Sequence, residues 1–164
     1  MEQVYLNSLR DILKNGDWQE TRTGIDCCGL FGPQMEFDLS SGAFPLLTTK
    51  KMAWKAIVHE LLWFISGDTN AGTLLKNGVN IWNEWTPAYK DGYGDLKGNE
   101  AVKAAFADYP DCNLDLDLGP VYGAQWRGFE GFDQLDWLMK RIKTNPECRR
   151  LIVSAWNRSE ERFS

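Results

Sequence analysis

The apolar positions of this chain fall into short periodic runs punctuated by glycine, proline and asparagine. Val4, Tyr5, Ser8, Leu9, Ile12 and Leu13 recur at helical spacing and meet Asn15-Gly16, which predicts a first amphipathic helix with a stop. Thr21-Arg22-Thr23-Gly24 reads as a polar loop. Cys27 to Phe31 and Gln34 to Leu39 read as two short strands joined by Gly32-Pro33, and Asp38 to Pro45 as turn. The clearest helical signal comes next. Trp54, Ile57, Val58, Leu61, Leu62 and Ile65 form a stripe at spacings of three and four, with Thr48 or Thr49 as cap and Gly67 as terminator. Asp68-Thr69-Asn70 starts a short helix that ends at Asn77-Gly78.

From Thr86 to about Leu118 the periodicity weakens, apart from an Ala-rich helical piece from Glu100 to Ala107. A stretch of this kind inside a domain reads as a surface insertion, here at about 86–118. Its Leu-Asp-Leu-Asp-Leu alternation lacks the glycine and terminal glutamate of a calcium loop, so it reads as solvated surface. Order returns at Gly119-Pro120-Val121-Tyr122-Gly123. Leu135, Leu138, Met139 and Ile142 then mark a helix stopped by Asn145-Pro146. Cys148 to Asn157, Cys-Arg-Arg-Leu-Ile-Val-Ser-Ala-Trp-Asn, reads as a buried strand behind two arginines. The order of helices and strands is α+β, without a regular βαβ alternation.

Composition narrows the function. The chain has 164 residues, one domain's worth, and 43% hydrophobic with 25% charged residues is globular and not disordered. Eight tryptophans point to a large core or an aromatic ligand surface. A net charge of −5 excludes a broad nucleic-acid-binding face but not a compact phosphate pocket. No apolar run has membrane-spanning length, and Met-Glu-Gln-Val is no signal sequence, so a cytoplasmic protein is expected. Cys27, Cys28, Cys112 and Cys148 form no C-x-x-C pair, and the one histidine, His59, lies far from them, so no metal site is expected. No G-x-G-x-x-G or Walker loop is present. Arg149 and Arg150 present paired guanidiniums, either an anion clamp or solvated charges at a strand end.

Several blocks resemble one family, in order. They are Thr21-Arg22-Thr23-Gly24, Phe44 to Lys51, His59-Glu60-Leu61-Leu62-Trp63-Phe64, Gly67 to Asn70, Ile81-Trp82-Asn83-Glu84-Trp85, Leu118 to Gly123, Gln125-Trp126-Arg127, and Arg149-Arg150 through Trp156-Asn157. Together they resemble thymidylate synthase over nearly the whole chain outside the insertion. The resemblance implies an α+β fold, a mixed sheet with packed helices, of which 1–164 would be the N-terminal portion. It implies reductive methylation of dUMP to dTMP with 5,10-methylenetetrahydrofolate as co-substrate, in a homodimer with shared sites. Arg22, Arg149 and Arg150 would hold the nucleotide phosphate, the twin arginines in the other subunit's site. Glu60 would organise water and proton transfers, and Tyr122 would assist removal of the C5 proton. Lys50, Ile81, Trp82, Asn83 and Trp85 would line the folate side. On residue type alone Glu60 could be a solvated helix residue, Trp82 and Trp85 core, and Lys50 a solvated lysine.

The sequence departs from the family at three places. Asn83 stands where members usually carry Asp, and Ala53 where many carry a larger polar residue. The family nucleophile, a cysteine in a Pro-Cys-His segment beyond the Trp-Asn pair, is not reached before Ser164. Cys148 is no substitute: beside phosphate-binding arginines it would sit at the wrong end of the nucleotide. The expectation is a chain inactive alone, with a complementing C-terminal chain as a further partner. The alternatives are a pyrimidine nucleotide hydroxymethylase of the same superfamily and a non-catalytic nucleotide-binding or dimerising fragment.

Overall fold

The computed structural model describes residues 2–111 and 115–160. The chain divides into two compact units, Met1–Met52 and Ala53–Ser164.

The first unit begins with helix α1 (Glu2–Asn15), closed by the Gly16 N–H on the Ile12 carbonyl at 2.8 Å. Strands β1 (Asp17–Gln19) and β2 (Cys27–Gly29) pair antiparallel, with Trp18 opposite Cys28. The strand expected at Cys27 thus forms, but its partner precedes it. Gln34 to Leu39 is not a strand. The polar turn between β1 and β2 supplies the hairpin geometry that Gly32-Pro33 was expected to supply. Thr48 does not cap the next helix either; its N–H (2.6 Å) and hydroxyl (2.8 Å) meet the Glu2 carboxylate. No described side chain of this unit is buried.

The second unit holds the core. Helix α2 (Trp54–Ser66) starts at Ala53, which offers no side-chain cap, and ends at Gly67 in the left-handed region. Helix α3 (Ala71–Lys76) is capped by the Asn70 side chain on the Gly72 N–H, at 2.7 Å. A 3₁₀ turn (Asn83–Trp85) leads to α4 (Pro87–Lys90), then α5 (Gly98–Asp108), α6 (Tyr122–Gly128) and α7 (Gln134–Thr144). One cluster gathers Trp63, Phe64, Leu74 and Val79; a second gathers Ala88, Val102, Ala105 and Leu116.

Three expectations are corrected here. The α2 stripe, the face such a helix normally buries, is largely exposed at Trp54, Ile57, Leu61, Leu62 and Ile65. Trp63 and Phe64 are buried instead, because their larger rings pack on α3, Trp82 and α6. The Leu-Asp alternation is not wholly solvated surface: Leu116 is 0% exposed, while Asp117 faces solvent. Helices α4 and α5 around it give the 86–118 stretch a core of its own, though Leu114 lies outside the described residues. Finally, Cys148 to Asn157 is not a buried strand. Ile152 is 70% exposed, and no strand lies beside it among the described residues. A strand exists only when a neighbour takes its backbone groups. The described sheet is the two-stranded hairpin alone, so the molecule is helix-rich with a small antiparallel sheet, short of the larger mixed sheet expected.

Candidate active site

Three of the expected site residues meet in the second unit. Glu60 lies midway along α2, Trp82 just before the 3₁₀ turn, and Tyr122 at the first position of α6. Trp82 donates its indole N–H to Glu60 Oε1 at 2.8 Å. The Trp82 and Tyr122 rings meet edge to face at 6.2 Å. Both rings pack against Phe64, at 6.0 and 5.4 Å, and Phe64 against Trp126 at 5.8 Å. Aromatic edge-to-face contacts of this kind add about 0.5–1.5 kcal/mol each beyond burial. The carboxylate is therefore fixed by an indole that is itself wedged between rings. Glu60 Oε2 has no partner among the described residues, which leaves one oxygen held and the other without a protein partner there.

The helices bearing these groups approach closely for a local reason. Gly123, one residue after Tyr122, lies where a Cβ would stand 2.7 Å from the Phe64 carbonyl oxygen and 2.9 Å from its Cα. Only glycine lets α6 seat Tyr122 against α2 there.

The residues expected on the folate side divide. Ile81 and Trp85 are exposed, and the Lys90 ammonium sits 5.7 Å from the Trp85 ring. Asn83 is 6% exposed, and its amide reaches inward toward Asn99 Oδ1 at 3.5 Å. Thr86 beneath it is fully buried, donating to the Asn83 carbonyl at 2.7 Å and capping α4 at the Tyr89 N–H. Thr86-Pro87 is a helix-start signal, a hydroxyl cap followed by proline at the first helical position, that could have located α4.

Arg22, Arg149 and Arg150 are exposed. Arg22 sits at the tip of a turn in the first unit, locked by Thr21, whose hydroxyl lies 2.7 Å from the Ile25 carbonyl and 2.8 Å from the Thr23 hydroxyl. Lys50 is exposed in the same unit. Arg149 and Arg150 form a turn after α7. Cys148 beside them has its thiol held below the usual range, first by the Arg150 backbone N–H and then by Arg141, whose guanidinium lies 3.8 Å from the sulfur.

One feature was invisible in the sequence. Gln134, 9% exposed at the start of α7, accepts from the Ser154 N–H at 2.9 Å. Its amide nitrogen donates to the Ser154 carbonyl at 2.7 Å and the Gln125 carbonyl at 2.8 Å. Asn157 adds a bond to Gln125 Oε1 at 3.2 Å. The segment behind the twin arginines is thereby tied to α6, the helix that carries Tyr122.

The sequence matches the family described as thymidylate synthase over residues 3–163. Among its relatives, the thymidylate synthase of Mycoplasma genitalium is 50% identical over 163 residues, covering 95% of this chain and 55% of the relative. That of Phytoplasma mali is 50% identical over 159 residues, covering 94% and 54%, and that of Mycoplasma pneumoniae 48% over 161, covering 96% and 56%. The chain thus spans about half the length of the curated relatives it matches. No described helix is long and apolar enough to cross a membrane. With a match over nearly its full length and half its residues shared with named members, the chain belongs to the thymidylate synthase family.

Proposed function

We propose that this chain forms the N-terminal portion of a cytoplasmic thymidylate synthase, an enzyme that methylates dUMP to dTMP with 5,10-methylenetetrahydrofolate. The observation that carries the reading is the Trp82–Glu60 hydrogen bond in its aromatic setting with Tyr122. A carboxylate oriented at one oxygen and open at the other suits repeated proton exchange through water beside a pyrimidine. Tyr122, half-exposed at the head of α6, would assist removal of the C5 proton. Ile81 and Trp85 offer exposed apolar faces on which a pterin can stack, with Trp82 behind them. Asn83, buried between them in sequence, would stand on the same folate side. Lys50 would meet the folate tail carboxylates. Arg22, Arg149 and Arg150 are exposed guanidiniums suited to a phosphate, the twin pair serving the second subunit of a homodimer.

Attack on C6 of the pyrimidine needs a thiolate at fixed distance, and no cysteine of this chain is assigned that role. Cys148 stands beside Arg150 and Arg141, and would lie at the phosphate end of the nucleotide. The chain alone is accordingly inactive. The test mixes it with a polypeptide covering the part of the Mycoplasma genitalium enzyme outside the match and measures dTMP formation. We expect none from either piece, activity from the mixture, and at least a tenfold fall in kcat for Glu60→Gln with KM for dUMP little changed. Turnover by the chain alone, or full activity in the variant, overturns the reading.

A further inference from the structure

The turn that carries Trp82 and Trp85 holds its two indoles unequally. Trp82 has its N–H on Glu60 at 2.8 Å and its ring among Trp63, Phe64 and Tyr122, at 6.1, 6.0 and 6.2 Å. Trp85 has none of this. It is 59% exposed, and its indole meets no other ring and no hydrogen-bond partner among the described residues. What stands over it is the Lys90 ammonium, 5.7 Å from the ring centroid. That lies within the reach of a cation–π contact, about 6 Å.

The 86–118 stretch places Lys90 there. Lys90 ends α4, which Thr86 caps and whose buried Ala88 donates its N–H to the Asp115 carbonyl at 2.8 Å. Asp91 is next in sequence, yet Lys90 has no carboxylate partner among the described residues. The same stretch also reaches the buried side of the turn. The Asn83 carbonyl accepts from the Thr86 hydroxyl at 2.7 Å and the Thr86 N–H at 3.1 Å. The Asn83 amide, 94% shielded with its residue 6% exposed, donates to Asn99 Oδ1 near the start of α5 at 3.5 Å.

We propose that Lys90 and Asn99 are positioning residues for the co-substrate. Lys90 orients the Trp85 indole, and Asn99, through Asn83, steadies the turn that bears it. The inference deepens the reading above and rests on it, with the reduced folate as the ligand of this wall. A flat pterin binds better to a ring already oriented, because less side-chain freedom is lost on binding. Both contacts bear on the Trp85 end of the turn. Trp82 and Glu60 are fixed by their own partners, so the contacts act on co-substrate binding and leave proton transfer at Glu60 unchanged.

The experiment uses the complemented mixture described above, with dUMP saturating and 5,10-methylenetetrahydrofolate varied. Lys90→Met keeps the alkyl stem and removes the charge. Loss of a cation from an exposed ring should raise KM for the co-substrate about two- to fivefold. Lys90→Arg keeps a cation over the ring and should restore it. Asn99→Leu removes the acceptor and should raise the same KM about twofold, whereas Asn99→Asp keeps an acceptor and should not. In all four variants kcat and KM for dUMP should stay within about twofold. An unchanged co-substrate KM in Lys90→Met, a loss that Lys90→Arg does not restore, or a matching fall in kcat overturns the inference. A second readout needs only the full chain by itself. The Lys90 ε-methylene protons should lie upfield of their position in Trp85→Leu, because the indole ring current shields them. Absence of that shift overturns the contact whether or not the mixture turns over. A mixture that forms no dTMP sinks the assigned chemistry alone. Calorimetric titration of the same variants with the folate then decides the inference: a Kd raised in Lys90→Met and restored in Lys90→Arg supports it, and any other result overturns it.

Discussion

A single hydrogen bond, from the Trp82 indole to Glu60 Oε1, joins the aromatic core of the second unit to its candidate acid–base group. Trp82→Phe keeps a ring but removes the donor to a carboxylate, so a loss of about 1–3 kcal/mol is expected in urea unfolding. Glu60→Gln retains an acceptor for the indole and should change stability by less than about 1 kcal/mol. A second carboxylate gives a pH signature. Thr48, through its hydroxyl and then its N–H, holds Glu2 below its ordinary 4.5. A lowered folded-state value means the contribution is complete above about pH 4.5 and is lost as pH falls through the folded value. The Thr48 amide should therefore lose exchange protection only below pH 4.5, and at every pH in Glu2→Ala, which leaves no acceptor. Of these residues, sequence blocks alone brought Glu60, Trp82 and Tyr122 forward together. Gln134 was not legible, because a glutamine's value here depends on meeting Ser154, 20 residues away. Asn83 was legible as a departure but not as a buried amide, since burial depends on Thr86 and Asn99 around it.

At the scale of elements, helices were readable wherever local signals sufficed. The stops of α1 and α2 and the asparagine cap of α3 follow from neighbours in sequence. Which face a helix buries does not. The α2 stripe has the right period, but Trp63 and Phe64 fill the space between α3 and α6, and the stripe is left outside. β1 is not legible because the three residues Asp-Trp-Gln show no alternation, and Cys148 to Asn157, although β-branched, has no neighbouring strand among the described residues. The α2–α6 contact turns on Gly123. In Gly123→Ala the new methyl would meet backbone atoms of Phe64, which cannot rotate away. A loss of about 1–3 kcal/mol is expected in urea unfolding despite alanine's better helix propensity, with Tyr122 displaced and dTMP formation by the complemented enzyme reduced. A helix indifferent to this contact would be stabilised by the same change.

For the chain as a whole, the balance of buried and exposed apolar groups is unusual. The second unit has two small buried clusters, yet Leu61, Leu62 and Ile65 on α2 and Met139 and Ile142 on α7 remain exposed. Ile65, Leu135 and Met139 also line one cavity, so the exposed residues of the two helices adjoin. A patch of this kind, on the order of several hundred Å², marks an interaction surface or an aggregation site. The expected consequence is concentration-dependent association of the chain alone. Leu62→Glu tests it, because Leu and Glu have similar helix propensity and the site is exposed. Stability of the monomer should therefore change by less than about 0.5 kcal/mol. Light scattering should show self-association falling in the variant, and titration with the remaining family polypeptide should show weaker binding. If self-association is unchanged, the patch is not what drives it. If monomer stability falls by several kcal/mol instead, Leu62 is packed in solution and the uncovered face of α2 is not present there.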